Sequence, residues 1–198
     1  MISVDLHVHT NASPDSSINP KFLVDSLYAH PVIKGVAVTD HNTVDGCKQV
    51  QKLAKAYSDL LVIPGVEVLT QQGDLILLGV EEKPAVMQPL ETVVDFAKQR
   101  AAVIVIPHPY RVSGIGDAAE TIAADAVEIV NPWASPEQNK LAEQLAKARG
   151  LPGVAGSDAH EPKSLWTAFT EVDAEPNVAD VLKAIRNGYV RAVSARHI

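Results

Sequence analysis

The sequence predicts an α/β fold, either a barrel or a doubly wound sheet, from two observations. Short β-branched runs alternate with helical patterns along the whole chain, and several of those runs are apolar without a break. Val103-Ile104-Val105-Ile106 is the clearest case. Runs of this kind suit strands covered on both faces, as in parallel sheets. Periodicity alone does not separate the barrel from the open sheet. The 198 residues suit one domain spanning 1–198, and with only 5% aromatic residues its core must rest on Val, Ile, Leu and Ala.

Strands are expected at 3–9, 35–40, 60–66, 102–107, 126–131, 153–157, 168–172 and 191–195. The first helix is expected at 20–29, with Asn19 placed to cap it and Pro20 at its first position. Residues 43–57 space Val50, Leu53 and Ala54 at helical intervals, and residues 90–100 carry Val93, Val94 and Ala97. Residues 135–149 open with Ser-Pro-Glu-Gln, a helix-start signature, and stop at Gly150. A last helix, 178–187, ends at Gly188. Gln71-Gln72-Gly73-Asp74 separates 66–70 from 75–80, as a hairpin inserted into the alternation would.

The formal net charge of -7 argues against a grip on a nucleic-acid backbone, which needs clustered Lys and Arg. A small phosphorylated substrate or a nucleic-acid end stays compatible, because bound divalent cations reverse the local charge. Cys47 is the single cysteine, so no disulfide forms within the chain. A buried thiol in a reducing, cytoplasmic setting is the expectation. Asp5, His7 and His9 fall where a signal peptide needs its apolar core. No apolar stretch approaches the roughly 20 residues of a membrane span, so no membrane contact is expected.

Seven histidines are present, and five stand at or just beyond the ends of expected strands: His7, His9, His41, His108 and His160. In α/β folds the loops at that edge converge on one mouth. In Asp5-Leu6-His7-Val8-His9, strand alternation puts residues 5, 7 and 9 on one face, with His7 and His9 about 6.6 Å apart at their α-carbons. Two imidazoles at that separation converge on one cation, and Asp5 is placed to orient one of them. Gly156-Ser157-Asp158-Ala159-His160 repeats the pattern with a carboxylate and an imidazole. Pro107 and Pro109 restrict the backbone around His108. Glu67 follows an apolar run, where a buried carboxylate is costly unless paired or bound to metal. Imidazoles and carboxylates without cysteine suit Mn²⁺, Zn²⁺ or Fe²⁺.

In the order of these motifs, from Asp-Leu-His-Val-His-Thr to Gly-Ser-Asp-Ala-His, the chain resembles the PHP (polymerase and histidinol phosphatase) family over nearly its full length. The resemblance implies a distorted (β/α)₇ barrel, TIM-like, with two or three divalent metal ions at the C-terminal ends of the strands and phosphoesterase activity. It implies a first metal on His7, His9, Glu67 and Asp158, and a second bridged by Glu67 and held by His108. A third falls to Asp15, His41 and His160. Where some members carry a further histidine at the end of the fifth strand, this chain has Asn131, a weaker ligand. Glu128 is expected on the opposite face from Asn131.

The expected reaction is hydrolysis of a phosphate ester by a metal-activated hydroxide, with Arg111 gripping phosphate and Asp158 or Asp15 as candidate proton donor. Asp40 is expected to orient a histidine. His197 and His30 are expected at the surface, Arg196 at the surface or reaching the mouth, and Trp133 and Trp166 in packing or as pocket walls. Two other readings are a C–N bond hydrolase of the amidohydrolase kind and a non-catalytic metal-binding module that partners another protein. Amidohydrolases usually carry a bridging lysine at a strand end, and no lysine is so placed here.

Overall fold

The computed structural model describes residues 1–195; Arg196 and His197 lie outside the described residues. One sheet is built from β1 Ile2–Val8, β2 Ile33–Val38, β3 Leu61–Leu69, β4 Asp74–Leu78, β5 Val103–Ile106, β6 Ala126–Val130, β7 Gly153–Ala155, β8 Ala168–Val172 and β9 Val190–Ser194. Their spatial order is β7-β6-β5-β4-β3-β2-β1-β8-β9. Pairing is parallel through β1, β2 and β3 and through β5, β6 and β7. β4 runs antiparallel to both β3 and β5, so the expected hairpin is absorbed into the sheet. The separate runs 60–66 and 66–70 are one strand, β3, because β4 pairs along its second half.

The sheet curls into a nearly closed barrel. After β7 the chain bends onto β1, where Asp158 N donates to His7 O at 2.7 Å and His9 N donates to Ala159 O at 3.0 Å. For this reason β7 stops at Ala155 rather than at 157. Gly156 permits the approach. A β-carbon there would stand 2.4 Å from His7 Cβ and 2.7 Å from His7 N. Gly156→Ala is expected to lower stability by about 1–3 kcal/mol, since backbone on both sides must shift. Denaturant unfolding checks this; an unchanged midpoint would contradict it.

The helices are α1 Pro20–Ala29, α2 Asp45–Ala54, α3 Leu90–Gln99, α4 Pro136–Arg149 and α5 Val178–Arg186. Asn19 caps α1 through Lys21 N, and Ser135 and Gln138 form a capping box on α4, which ends at left-handed Gly150. Val36 and Val38 pack outward on Leu23 and Leu27 of α1 and Val50 of α2. Ile104 and Ile106 pack on Val93 and Val94 of α3 and Leu145 of α4. The interior holds Val4, Leu6, Ile63, Ile76, Val105 and Val154, with Val181, Leu182 and Ile185 of α5 joining them. Leu182 lies over Gly79, beyond the end of antiparallel β4, so α5 covers the end of the barrel away from the histidines. Trp166 is buried and donates its Nε1–H to Ser26 Oγ, which makes it a packing residue. Among the described residues no helix is long and apolar enough to cross a membrane.

Candidate metal centre

β1 does not keep the simple alternation expected of it. Its register against β2 shifts between Asp5 and Val8, so Val4 and Leu6 face the interior while Val8 faces the outer layer. The shift changes the task of Asp5. Its Oδ1 accepts from the backbone N–H of His7 at 3.3 Å and of Ser157 at 2.9 Å, and it orients no imidazole. Burial pushes its carboxyl up to about 7, offset in part by Ser157 and His7.

His7 is oriented instead by Glu128, whose Oε1 lies 3.0 Å from His7 Nδ1. The expectation that Glu128 faces away from Asn131 is overturned by a second register shift, between Glu128 and Val130 on β6. That irregularity turns both side chains inward. Asn131 Nδ2 donates to Glu128 Oε2 at 2.9 Å and to Asp158 Oδ2 at 3.1 Å, and its Oδ1 accepts from Trp133 N at 2.8 Å. An amide nitrogen aimed at carboxylates offers no lone pair to a cation, so Asn131 is a clamp between Glu128 and Asp158 rather than the weak ligand expected. The signal for Glu128 was legible as a carboxylate inside the apolar run Ala126–Val130.

Four atoms then converge. His7 Nε2 and His9 Nε2 lie 3.4 and 3.3 Å from Glu67 Oε2, and each lies 3.4 Å from Asp158 Oδ1. Ligands held at about 2.0–2.1 Å in a tetrahedron stand about 3.3–3.4 Å apart, so this spacing fits a shared cation. His7 Nε2, His9 Nε2 and Glu67 Oε2 are buried with no hydrogen-bond partner among the described residues. Native proteins rarely leave such groups unsatisfied, and together they are what a divalent ion would complete.

A second trio lies nearer solvent. Asp15 Oδ2 is 3.4 Å from both His41 Nε2 and His160 Nε2, which are 3.5 Å from each other. The His9 ring stacks between them, with centroids 4.4 Å from His41 and 4.1 Å from His160. Asp40 acts on this group indirectly. It accepts from Thr10 N, Thr10 Oγ1 and Ser13 Oγ, and Ser13 Oγ in turn accepts from His41 N. The other oxygen of Glu67, Oε1, is 3.1 Å from His108 Nε2. Arg111 donates to Asp158 Oδ2 at 2.7 Å. His7, His9, Asp15, His41, Glu67, His108, Arg111, Asn131, Asp158 and His160 are thus all in this mouth. Backbone strain gathers here too, with His108 and Asp158 at φ of 25° and 50°.

The PHP domain family profile matches residues 5–130, and the PHP-associated profile matches residues 136–190. The chain belongs to the PHP family. It is 32% identical to the uncharacterized protein MJ1587 of Methanocaldococcus jannaschii over 145 residues, covering 67% of this chain and 83% of that protein. With the uncharacterized protein MJ0417 of the same organism it shares 30% identity over 188 residues, 88% of this chain and 73% of that one. Among solved structures, a two-domain Bacteroides vulgatus protein containing a predicted PHP-like metal-dependent phosphoesterase superposes with a TM-score of 0.81 at 19% identity. That match covers 98% of this chain and 64% of the other, so the chain spans under two thirds of that protein's length. An amidohydrolase from Chromobacterium violaceum with bound sulfate and no metal superposes with a TM-score of 0.70 at 16% identity, covering 98% and 99%. At these identities the two structures show the fold alone.

The charges of this PHP site are tightly interdependent. Burial alone would lower His7, yet Asp158, Glu67 and Glu128 raise it well above the usual imidazole value. His108 is likewise buried and is raised by Glu67. Burial pushes His9 down to about 4, which its carboxylate neighbours only partly offset. Burial works against the ionised form of Asp158 also, but His7 and His9 hold it well below the usual carboxylate range. A carboxylate kept ionised in this way is a poor proton donor.

A sign follows for metal uptake. Without metal, the neighbouring carboxylates make His7 and His108 hold a proton more tightly than a free imidazole, and a cation must displace it. Mn²⁺ binding is therefore expected to release protons, an effect that fades as pH rises past the raised imidazole values. Calorimetry in buffers of different ionisation enthalpy measures it; equal heats in all buffers at pH 7 would contradict it.

Proposed function

We propose that this chain is a metal-dependent phosphoesterase acting on a small phosphorylated molecule or a nucleotide. His7, His9, Glu67 and Asp158 would hold one cation and Asp15, His41 and His160 another. The observation that carries the reading is the set of buried ring nitrogens and a carboxylate oxygen that converge with no partner of their own. When bound, divalent cations lower the pKa of a coordinated water and neutralise charge on phosphoryl oxygens. The protein's own part is positional. Glu128 sets which nitrogen of His7 points inward, and Asn131 and Arg111 hold Asp158. Arg111 uses one nitrogen on Asp158, and the rest of its fork is available to a phosphoryl oxygen. Mn²⁺, Zn²⁺ and Fe²⁺ all suit the donors. A cytoplasmic setting fits the single buried cysteine, whose thiol burial pushes up to about 12.

Elemental analysis of the purified protein, then assay of chelated and Mn²⁺-reconstituted forms, tests the proposal. Bound metal with metal-restored phosphate release from a panel of phosphate monoesters, nucleotides and phosphodiesters supports it. Turnover confined to amides or lactones in the same panel would favour the amidohydrolase reading, the class named for the Chromobacterium violaceum protein whose fold this chain shares. Metal without any turnover, together with a stoichiometric protein partner, would favour the module.

A further inference from the structure

Asp74 is a buried carboxylate that the sites above do not use. It stands at the start of β4, straight after the hairpin turn. Gly73 takes φ 137° there, with Gly114 O and Ser113 O 2.6 and 2.7 Å from where a β-carbon would be, and Asp74 N donates to Ser113 O at 2.8 Å. The register sets the direction of the side chain. Ile76 pairs with Glu67 and Asp74 with Leu69, so Asp74 lies diagonally across from Glu67 on the same face. Ile76 belongs to the barrel interior, which puts Asp74 one layer further up, in the mouth beside Glu67.

We infer that Asp74 is a metal ligand, completing with Glu67 and His108 the shell of a cation on the β4 side of the mouth. The inference rests on the reading of this mouth as a metal centre. One ligand atom from each of the three residues lies within 4.8 Å of the others, and all three residues are buried. Two buried carboxylates facing each other are costly unless a positive charge lies between them. His108 is itself over nine-tenths buried, and its Nδ1 has no hydrogen-bond partner among the described residues. The amide of Asn131 is not available for this cation, being committed to Glu128, Asp158 and Trp133. A carboxylate from the inserted strand takes the place that β6 leaves open.

The test is Mn²⁺ titration of chelator-treated wild type and Asp74→Asn, following free Mn²⁺ by electron paramagnetic resonance, with thermal unfolding of both metal-free proteins. Surface Asp117→Asn serves as the control. Asp74→Asn is expected to lose one equivalent, or to bind its last equivalent at least about tenfold more weakly, the smallest effect seen on removing even an outer partner of a ligand. Its metal-free form is expected to unfold at the wild-type temperature or above, because a like-charge contact has gone. Wild-type stoichiometry and affinity in Asp74→Asn would overturn this assignment alone, as would a lowered metal-free unfolding temperature with unchanged binding. Failure of the wild type to bind Mn²⁺ would overturn the metal centre and this assignment with it.

Discussion

Glu67→Gln is expected to lower metal-dependent phosphate release by roughly three orders of magnitude, the upper range for losing one preorganised electrostatic contact. No other carboxylate in the mouth reaches so many imidazoles. Oε2 lies 3.4, 3.3 and 3.1 Å from His7 Nε2, His9 Nε2 and His41 Nδ1, while Oε1 lies 3.1 Å from His108 Nε2. Glutamine keeps the shape but removes the charge. Its NH₂ must also point at one of these two groups of nitrogens, where it repels a cation instead of binding it. The charge balance moves as well, because His7 and His108 owe much of their raised proton affinity to Glu67. The variant should therefore release fewer protons on Mn²⁺ addition, in addition to holding less metal. Metal content, kcat and proton release are to be measured together. A variant with full metal content and activity within tenfold of wild type would remove Glu67 from the centre of the site.

Residues that take their position from a local pattern were legible in the sequence. His7, His9, His41, His108 and His160 all stand at or just beyond the ends of short strands, and a strand end in an α/β fold is a place in space as well as in sequence. The caps at Asn19 and Ser135 and the stop at Gly150 were legible for the same reason, since each satisfies helix-end groups within a few residues. What escaped depends on pairing between distant strands. The irregularities in β1 and β6 break the period of two, and nothing local in Asp5-Leu6-His7 or Glu128-Ile129-Val130 marks them. They exchange the roles of three residues: Asp5 loses the imidazole, Glu128 gains it, and Asn131 becomes a clamp. Asp74 was hidden differently. After Gly73 it reads as a turn residue, and only the β3–β4 register carries it to Glu67.

Glu128 supplies the second large effect, and its chemistry fixes the form of the result. One oxygen accepts from His7 Nδ1, and the other accepts from His108 N at 3.0 Å and Asn131 Nδ2 at 2.9 Å. Both oxygens must be acceptors. In Glu128→Gln only one can be. With the amide oxygen toward His108 N and Asn131, its NH₂ forces His7 to accept at Nδ1 and to carry its proton at Nε2, the atom meant for a cation. Turned the other way, the NH₂ confronts two donors and frees Asn131 from Asp158. Either arrangement is expected to weaken metal binding about 10- to 100-fold, the range for partners that orient a ligating histidine. Glu128→Ala is the harsher change. It leaves buried donors unsatisfied at about 1–3 kcal/mol each and should lower the unfolding temperature of the metal-free protein as well. The two variants together separate orientation from packing. If Glu128 only fills space, glutamine binds Mn²⁺ like wild type and alanine alone is affected. If it sets the His7 tautomer, glutamine folds nearly as well as wild type and yet loses metal.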